Sequence, residues 1–304
     1  MAAPTVPQLQ ALVAVAQYGH VTRAAEALGL TQPAVSHQLR SLERVLGLPV
    51  LERVGRGVRL TDEAQALVAP AATALSALRA VEEVAAARRG LHQGSLAIAA
   101  SNTIGVYRLP GWAAGFLERY PDLEVRTRLV NTQEAVALLR TAEVDCALVE
   151  GSCDTADLES LTLEWDELVV VAAATHPLAR LHRVRQVDLA SHRYLAREVG
   201  SGTEAQAAKL LGPAHTGGPM LALAHVGAVR EGVLAGLGYA VLPTVAVAED
   251  LRQGRLVALP LARSTMQREF RALRRVQGHG PALQALWEHL ADLASPPAGP
   301  VPSR

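Results

Sequence analysis

Four short polar clusters in this chain could grip a small molecule: Ser101-Asn102-Thr103, Asn131-Thr132, Gly200-Ser201-Gly202-Thr203 and His225. Each follows a stretch that reads as a strand and opens one that reads as a helix. In open α/β sheets ligands bind at such strand ends, where free N–H groups at helix starts favour a small anion or carboxylate. The candidate binding residues are therefore Ser101, Asn102, Thr103, Thr132, Gly202, Thr203 and His225, with Thr203 foremost. Ordinary helix capping accounts for Ser, Thr and Asn at these positions equally well, and capping and binding can coexist. Glu150, just past an apolar run, either lines the same cleft or is solvated.

Enzymatic motifs fail on inspection. The Gly200–Thr203 run lacks the Gly-Lys-Ser/Thr ending of a phosphate loop, and Gly236-Leu237-Gly238 lacks the third glycine of a dinucleotide fingerprint. Ser201 is in no Gly-x-Ser-x-Gly elbow, and no His/Cys/Asp group has metal-ligand spacing. No catalytic residue, metal or cofactor is expected. Cys146 and Cys153 are too few for a disulfide framework and read as buried or incidental thiols rather than a redox pair.

A second kind of chemistry is concentrated between Thr22 and Leu60. The small-residue run Ala24-Ala25-Glu26-Ala27-Leu28 reads as a short helix, Gly29-Leu30 as a turn, and Thr31 as the cap of a second helix with Pro33 early in it. Val35, Leu39, Leu42 and Leu46 form one apolar face of that helix. Gln32, Pro33, Ser36, His37 and Arg40 lie on the other, with hydrogen-bonding groups suited to base edges in a major groove. An earlier helix bearing Leu9, Leu12, Val13 and Ala16 closes a small core, and residues 49–60 read as a hairpin. Arg53, Arg56 and Arg59 in that hairpin form a basic edge for phosphates or the adjacent minor groove. The order helix, helix-turn-helix, hairpin is a winged helix-turn-helix.

On these residues, from Ala24 through Thr31-Gln32-Pro33-Ala34-Val35-Ser36-His37-Gln38-Leu39-Arg40 to Leu60-Thr61, the chain resembles the amino-terminal domain of LysR-type transcriptional regulators. It departs from the family pattern at Leu51, where phenylalanine is usual, and at Ala64, where glycine often follows the wing. Both exchanges predict altered packing rather than lost DNA binding. The resemblance implies a linker helix that pairs two chains and a two-lobed effector domain like that of periplasmic solute-binding proteins. It also implies that the Gly200–Thr203 loop belongs to the effector site, and it favours a tetramer over a dimer.

The remaining sequence supplies elements for that plan. A glycine-free run from Thr61 to about Arg89 carries Leu67, Leu75, Leu78, Val81 and Val84 as an apolar seam, with Pro70 as a kink or perturbation. A rod of roughly 40 Å needs a partner. After Ser95 short apolar runs at 96–100, 123–130 and 146–149 alternate with helices near 108–119 and 133–140. A second set has strands at 168–174, 194–196, 220–223 and 239–242, with helices near 204–211 and 227–235. Extended segments at 161–167 and 259–266 cross between the sets, and 268–276 and 283–293 return to complete the first lobe. The expected domains are 1–60 (winged helix-turn-helix), 61–93 (linker helix), 94–294 (two-lobed α/β effector domain) and 295–304, a proline-rich disordered tail.

Formal net charge is zero, but residues 1–60 hold six arginines against three glutamates, a positive excess placed where DNA would be met. With no signal-peptide pattern and no apolar run of about 18 residues, the protein is expected in the cytoplasm and not in a membrane. The expected partners are double-stranded promoter DNA, a small anionic or polar effector and further copies in a homodimer or homotetramer, with RNA polymerase as a further candidate. The rival readings are a two-lobed solute-binding protein without a role in transcription and an enzyme fused to a DNA-binding domain. The first is disfavoured by the absent secretion signal and by the amino-terminal domain.

Overall fold

A computed structural model describes residues 3–54, 57–88, 95–212, 217–261 and 265–294. Helices α1 (Val6–Tyr18), α2 (Val21–Leu28) and α3 (Gln32–Leu46) are followed by a two-stranded hairpin, β1 (Leu51–Val54) and β2 (Gly57–Leu60). Their apolar faces close one core, with Leu12, Ala24, Val35, Leu39 and Leu42 essentially inaccessible. Leu51 packs on this core half-buried, and Ala64 lies fully within it, so both departures from the family pattern are absorbed by packing.

The long rod is not continuous. Thr61 caps a short helix α4 (Asp62–Ala66), the chain turns at Leu67, and α5 runs Val68–Arg88. Pro70 falls in the first turn of α5, where its missing N–H interrupts no helical hydrogen bond, and the break in the rod lies just before it, at Leu67. Leu75 packs against the DNA-domain core, whereas Leu78 and Val81 are exposed on this chain. Val84's side chain and residues 89–93 of the expected linker lie outside the described residues, as does the 295–304 tail.

Two lobes follow. The first holds parallel strands β3 (Ser95–Ser101), β4 (Glu124–Val130) and β5 (Cys146–Glu150), with α6 (Asn102–Tyr107), α7 (Leu109–Arg119), α8 (Thr132–Arg140) and α13 (Pro281–Leu293). The second holds β7 (Tyr194–Arg197), β8 (Met220–Leu223), β9 (Tyr239–Pro243) and β10 (Leu256–Ala258), with α9 (Gln186–Ala190), α10 (Gly202–Leu211), α11 (Val226–Leu234) and α12 (Thr244–Arg252). Two long antiparallel strands join them, β6 (Leu158–Ala173) and β11 (Thr265–Arg275). Segments 161–167 and 168–174, read separately in the sequence, are one strand whose halves serve different lobes. β11 pairs with β6 throughout and carries a register shift between Phe270 and Arg271, the irregularity that bends a crossover strand between lobes. Each lobe buries both faces of its sheet, giving four apolar clusters.

The DNA domain and the effector domain touch within one chain. Ala142, just past α8, packs into the DNA-domain core. On α5, Ser76 donates to the Gly278 carbonyl at 2.9 Å and accepts from Arg275 Nη2 at 2.8 Å.

Candidate DNA-reading face and interlobe site

Helix α3 is built to hold one face outward. The Thr31 hydroxyl accepts from the Ala34 N–H at 3.3 Å, and Val35, Leu39 and Leu42 anchor the inner face. Two polar ties fix its direction. The buried Gln8 amide of α1 donates to Ser41, and Glu43 accepts from the backbone of Val50 and Leu51 at 2.9 and 3.1 Å, joining α3 to the wing. The outer face then exposes Gln32, Pro33, His37 and Arg40, with Ser36 half-buried and accepting from Gln32 Nε2 at 3.2 Å. Arg40 and exposed Arg53 have no acidic partner within reach among the described residues. Arg59 differs from expectation: Glu52 lies directly across the hairpin and pairs with it at 2.5 Å, so the wing's basic edge is partly neutralised. Arg56 lies outside the described residues.

The strand ends of the two lobes converge on one carboxylate. Glu150, at the end of β5, is 1% exposed, so it does not belong to the solvated surface. Ser101 and Thr103 of the first lobe donate to it at 3.0 and 3.1 Å, and Thr203 of the second at 3.1 Å. Arg268 on β11 brings Nη1 to 3.2 Å from Glu150 Oε1 and donates from the same nitrogen to Thr203 Oγ1 at 2.8 Å. Its Nε donates to Asp166 of β6 at 2.8 Å, while Nη2 lies as close to that oxygen but off the hydrogen-bonding direction. Burial pushes the Asp166 carboxyl above its ordinary range, and Arg268 offsets part of that rise. Thr132 donates to the Glu150 carbonyl at 3.3 Å. Gly202 opens α10 against that same carbonyl: a Cβ there would stand 2.3 Å from the oxygen, so only glycine permits the approach. Beside the network lies a cavity of about 500 Å³ whose walls include Gln133, Arg140, Asp154, Val199 and Glu204.

Both halves of this geometry match one family. Residues 6–65 match the bacterial regulatory helix-turn-helix of the lysR family, and residues 89–295 match the LysR substrate binding domain. The chain is a LysR-family transcriptional regulator. Among its relatives, the RuBisCO operon transcriptional regulator of Allochromatium vinosum is 31% identical over 290 residues, 95% of this chain and 96% of the relative. The transcriptional regulator CbbR of Sinorhizobium medicae is 31% identical over 281 residues, 91% of this chain and 90% of the relative. Of solved structures, full-length OxyR from Pseudomonas aeruginosa aligns at 26% identity with a TM-score of 0.69, covering 96% of this chain and 95% of that one. ArgP from Mycobacterium tuberculosis, at 21% identity, shares the fold with a TM-score of 0.71 over 95% of this chain and 97% of its own.

A LysR-family identity sets aside the solute-binding alternative, because the helix-turn-helix match spans the amino-terminal domain. Of the expected effector residues, Ser101, Thr103, Thr132, Gly202 and Thr203 meet around Glu150, with buried Asn102 beside them. His225 does not join them by any hydrogen bond among the described residues: it caps α11, its Nδ1 accepting from Gly227 N at 3.1 Å. The hydroxyls expected to hold an anionic effector already donate to Glu150. Arg268 and Asp166 were absent from the sequence candidates, as was Arg197, buried at the end of β7 and paired with Glu198 at 2.8 Å. Arg268 stands between Gln267 and Glu269, and Arg197 beside Glu198, so in the sequence each reads as part of a solvated polar stretch. Cys146 is buried and pushed up to about 12, and half-buried Cys153 lies 3.2 Å from Arg271 Nη2, so the two thiols have no shared environment. No cluster of metal-ligating side chains occurs among the described residues, and no described helix is long and apolar enough to cross a membrane.

Proposed function

We propose that this LysR-family regulator works in the cytoplasm as a homo-oligomer, reads promoter DNA through α3 and the wing, and alters that binding when a small polar effector engages the interlobe site. Gln32, Pro33, Ser36, His37 and Arg40 meet base edges and backbone in the major groove, and Arg53, Arg56 and Arg59 serve phosphates or the minor groove beside it. The effector residues are Ser101, Asn102, Thr103, Thr132, Gly202 and Thr203, with His225 at the periphery. The chain itself carries out no catalysis. The observation that carries the reading is the outer face of α3, where exposed Arg40 has no acidic partner among the described residues because the neighbouring Glu43 carboxylate is turned to the Val50 and Leu51 N–H groups of the wing.

Solved members are described with arginine as bound effector, in LysG of Corynebacterium glutamicum, and with 2-PG, in the CcmR regulatory domain of Synechocystis. The two bound molecules are different compounds, so the ligand of this chain must be argued from its own residues. The names of the curated relatives make a RuBisCO operon promoter the first fragment to test.

The test is footprinting of purified protein on promoter fragments with three variants. Arg53→Ala removes a phosphate contact, so affinity falls similarly on all sequences and the salt slope shrinks by about one unit. Gln32→Ala and His37→Ala relax preference at particular base pairs, by about 1–3 kcal/mol for a good contact. Unchanged base preference in the last two would move the reading face away from α3.

A further inference from the structure

The centre of the interlobe site has an occupant that belongs to the chain. Three hydroxyls contributed by both lobes, those of Ser101, Thr103 and Thr203, donate to the Glu150 carboxylate. Arg268 from a crossover strand adds its charge at 3.2 Å. A ring of hydroxyl donors with one guanidinium is the equipment that holds a free carboxylate. Here both carboxylate oxygens are engaged from within.

Contacts on either side keep the lobes shut around it. Gln133 N of α8 donates to the Gly200 carbonyl at 3.4 Å across the lobes, and Gly202 abuts the Glu150 carbonyl with no room for a side chain. The guanidinium at the centre, and most of those around it, already face carboxylates. Glu150 and Asp166 already face a single buried guanidinium, Arg268. Arg197 is held by Glu198, and Arg108 by Glu164 at 2.7 Å. The adjoining cavity has Asp154 and Glu204 in its walls, and its one arginine, Arg140, is paired with Asp157 at 2.6 Å. Burying a further unpaired negative charge here would be strongly unfavourable.

We propose that Glu150 is the built-in ligand of this site: its carboxylate takes the place of a free anion, draws the two lobes together and makes the site reject small carboxylates and phosphates. An effector acting at this site is therefore neutral or cationic. The inference rests on the reading of the interlobe region as the effector site only for that last consequence. The internal occupancy stands without it.

Glu150→Ala deletes a CH₂–COO⁻ unit, about the size of acetate, and leaves the donors in place. The experiment follows thermal unfolding and calorimetric binding of the full-length protein titrated with sodium acetate, formate and phosphate against sodium chloride at equal ionic strength. Wild type shows no saturable response to any of the anions beyond chloride. Glu150→Ala melts several degrees lower and regains most of the loss saturably in acetate, and adding Thr203→Val weakens that gain several-fold. Glu150→Gln, which keeps the side chain's volume, shows no acetate gain. Should Glu150→Ala fail to fold, soluble yield on refolding in acetate against chloride is the readout, with recovery specific to acetate expected. Two results overturn the proposal: an acetate or phosphate response in wild type that depends on the Thr203 hydroxyl, or a Glu150→Ala protein that acetate neither stabilises nor rescues more than chloride does. Neither readout involves DNA, so failure of the promoter experiments leaves this test intact.

Discussion

Asp166 is the buried acid with the least support, and it makes the interlobe network sensitive to pH. Burial raises its carboxyl above the ordinary range; Arg268 and the Val245 N–H pull it back, and the nearby Glu150 charge adds to the rise. A raised acid binds its proton more tightly folded than unfolded. Its contribution to stability is therefore complete below the unfolded value of about 4 and is lost as pH climbs through the folded one. Asp166→Asn keeps an oxygen to accept from Arg268 Nε but cannot titrate. The stability of wild type relative to this variant is thus expected to fall as pH rises above about 4 and then level off. Urea unfolding of the pair across the acid range measures this, and a difference that stays flat with pH contradicts it. Thiol chemistry offers a second check at this scale. Cys146, pushed up to about 12 by burial, should resist a disulfide reagent at about pH 8 until the chain is unfolded, while Cys153, also raised by burial, reacts slowly in the native protein. Rapid native labelling of both would show that the first lobe opens far more readily than its packing implies.

Elements, rather than single residues, join the two functions. Strand β11 carries Arg268 at the interlobe network and Arg275 at the surface of α5, so one extended segment reaches from the site to the linker helix. The Ser76 hydroxyl bridges Arg275 Nη2 and the Gly278 carbonyl. Gly278 takes φ +84°, and an added Cβ would stand 3.0 Å from Ala77 N and 3.1 Å from Thr73 O, so the loop after β11 lies directly on the helix backbone. Helix α8 makes a second connection, from Thr132 at the Glu150 carbonyl to Ala142 in the DNA-domain core. Replacing Ser76 by alanine removes a buried acceptor from an arginine, a loss of about 1–3 kcal/mol. Because the lost contact lies between domains, calorimetry of Ser76→Ala is expected to show the DNA-domain and effector-domain transitions moving apart. A single transition merely shifted downward would mean that the contact stabilises the effector domain alone.

At the scale of the molecule, what the sequence revealed depended on how far apart partners lie in the chain. The DNA domain was legible because its signals are local: Thr31 as a cap, Pro33 in the first turn, Val35, Leu39 and Leu42 on one face. The two lobes were legible from alternating strands and helices, but β6 was read as two pieces because its first half is mixed in pattern and its second continuously apolar. Helix α12 escaped because it follows β9 without a loop, with Pro243 as its cap. Ser101, Thr103, Thr132 and Thr203 could be read as candidates from their places at strand ends, and they meet around Glu150. Arg268 was not, since Asp166 and Thr203 stand 102 and 65 residues away and only the crossover brings them together. The exposed side of α5 poses the remaining question. Leu78 and Val81 are 46% and 67% exposed although Leu75 beside them packs on the DNA-domain core, so the helix presents apolar surface that this chain alone does not cover. A second copy of the helix would bury it, and Leu78→Asp would then place an unpaired charge in the seam. Sedimentation of that variant is expected to show smaller species. Its affinity for a promoter should fall steeply, because a lone winged helix-turn-helix holds one half-site where a dimer holds two. A Leu78→Asp protein that sediments as wild type does would place the subunit contact on another face.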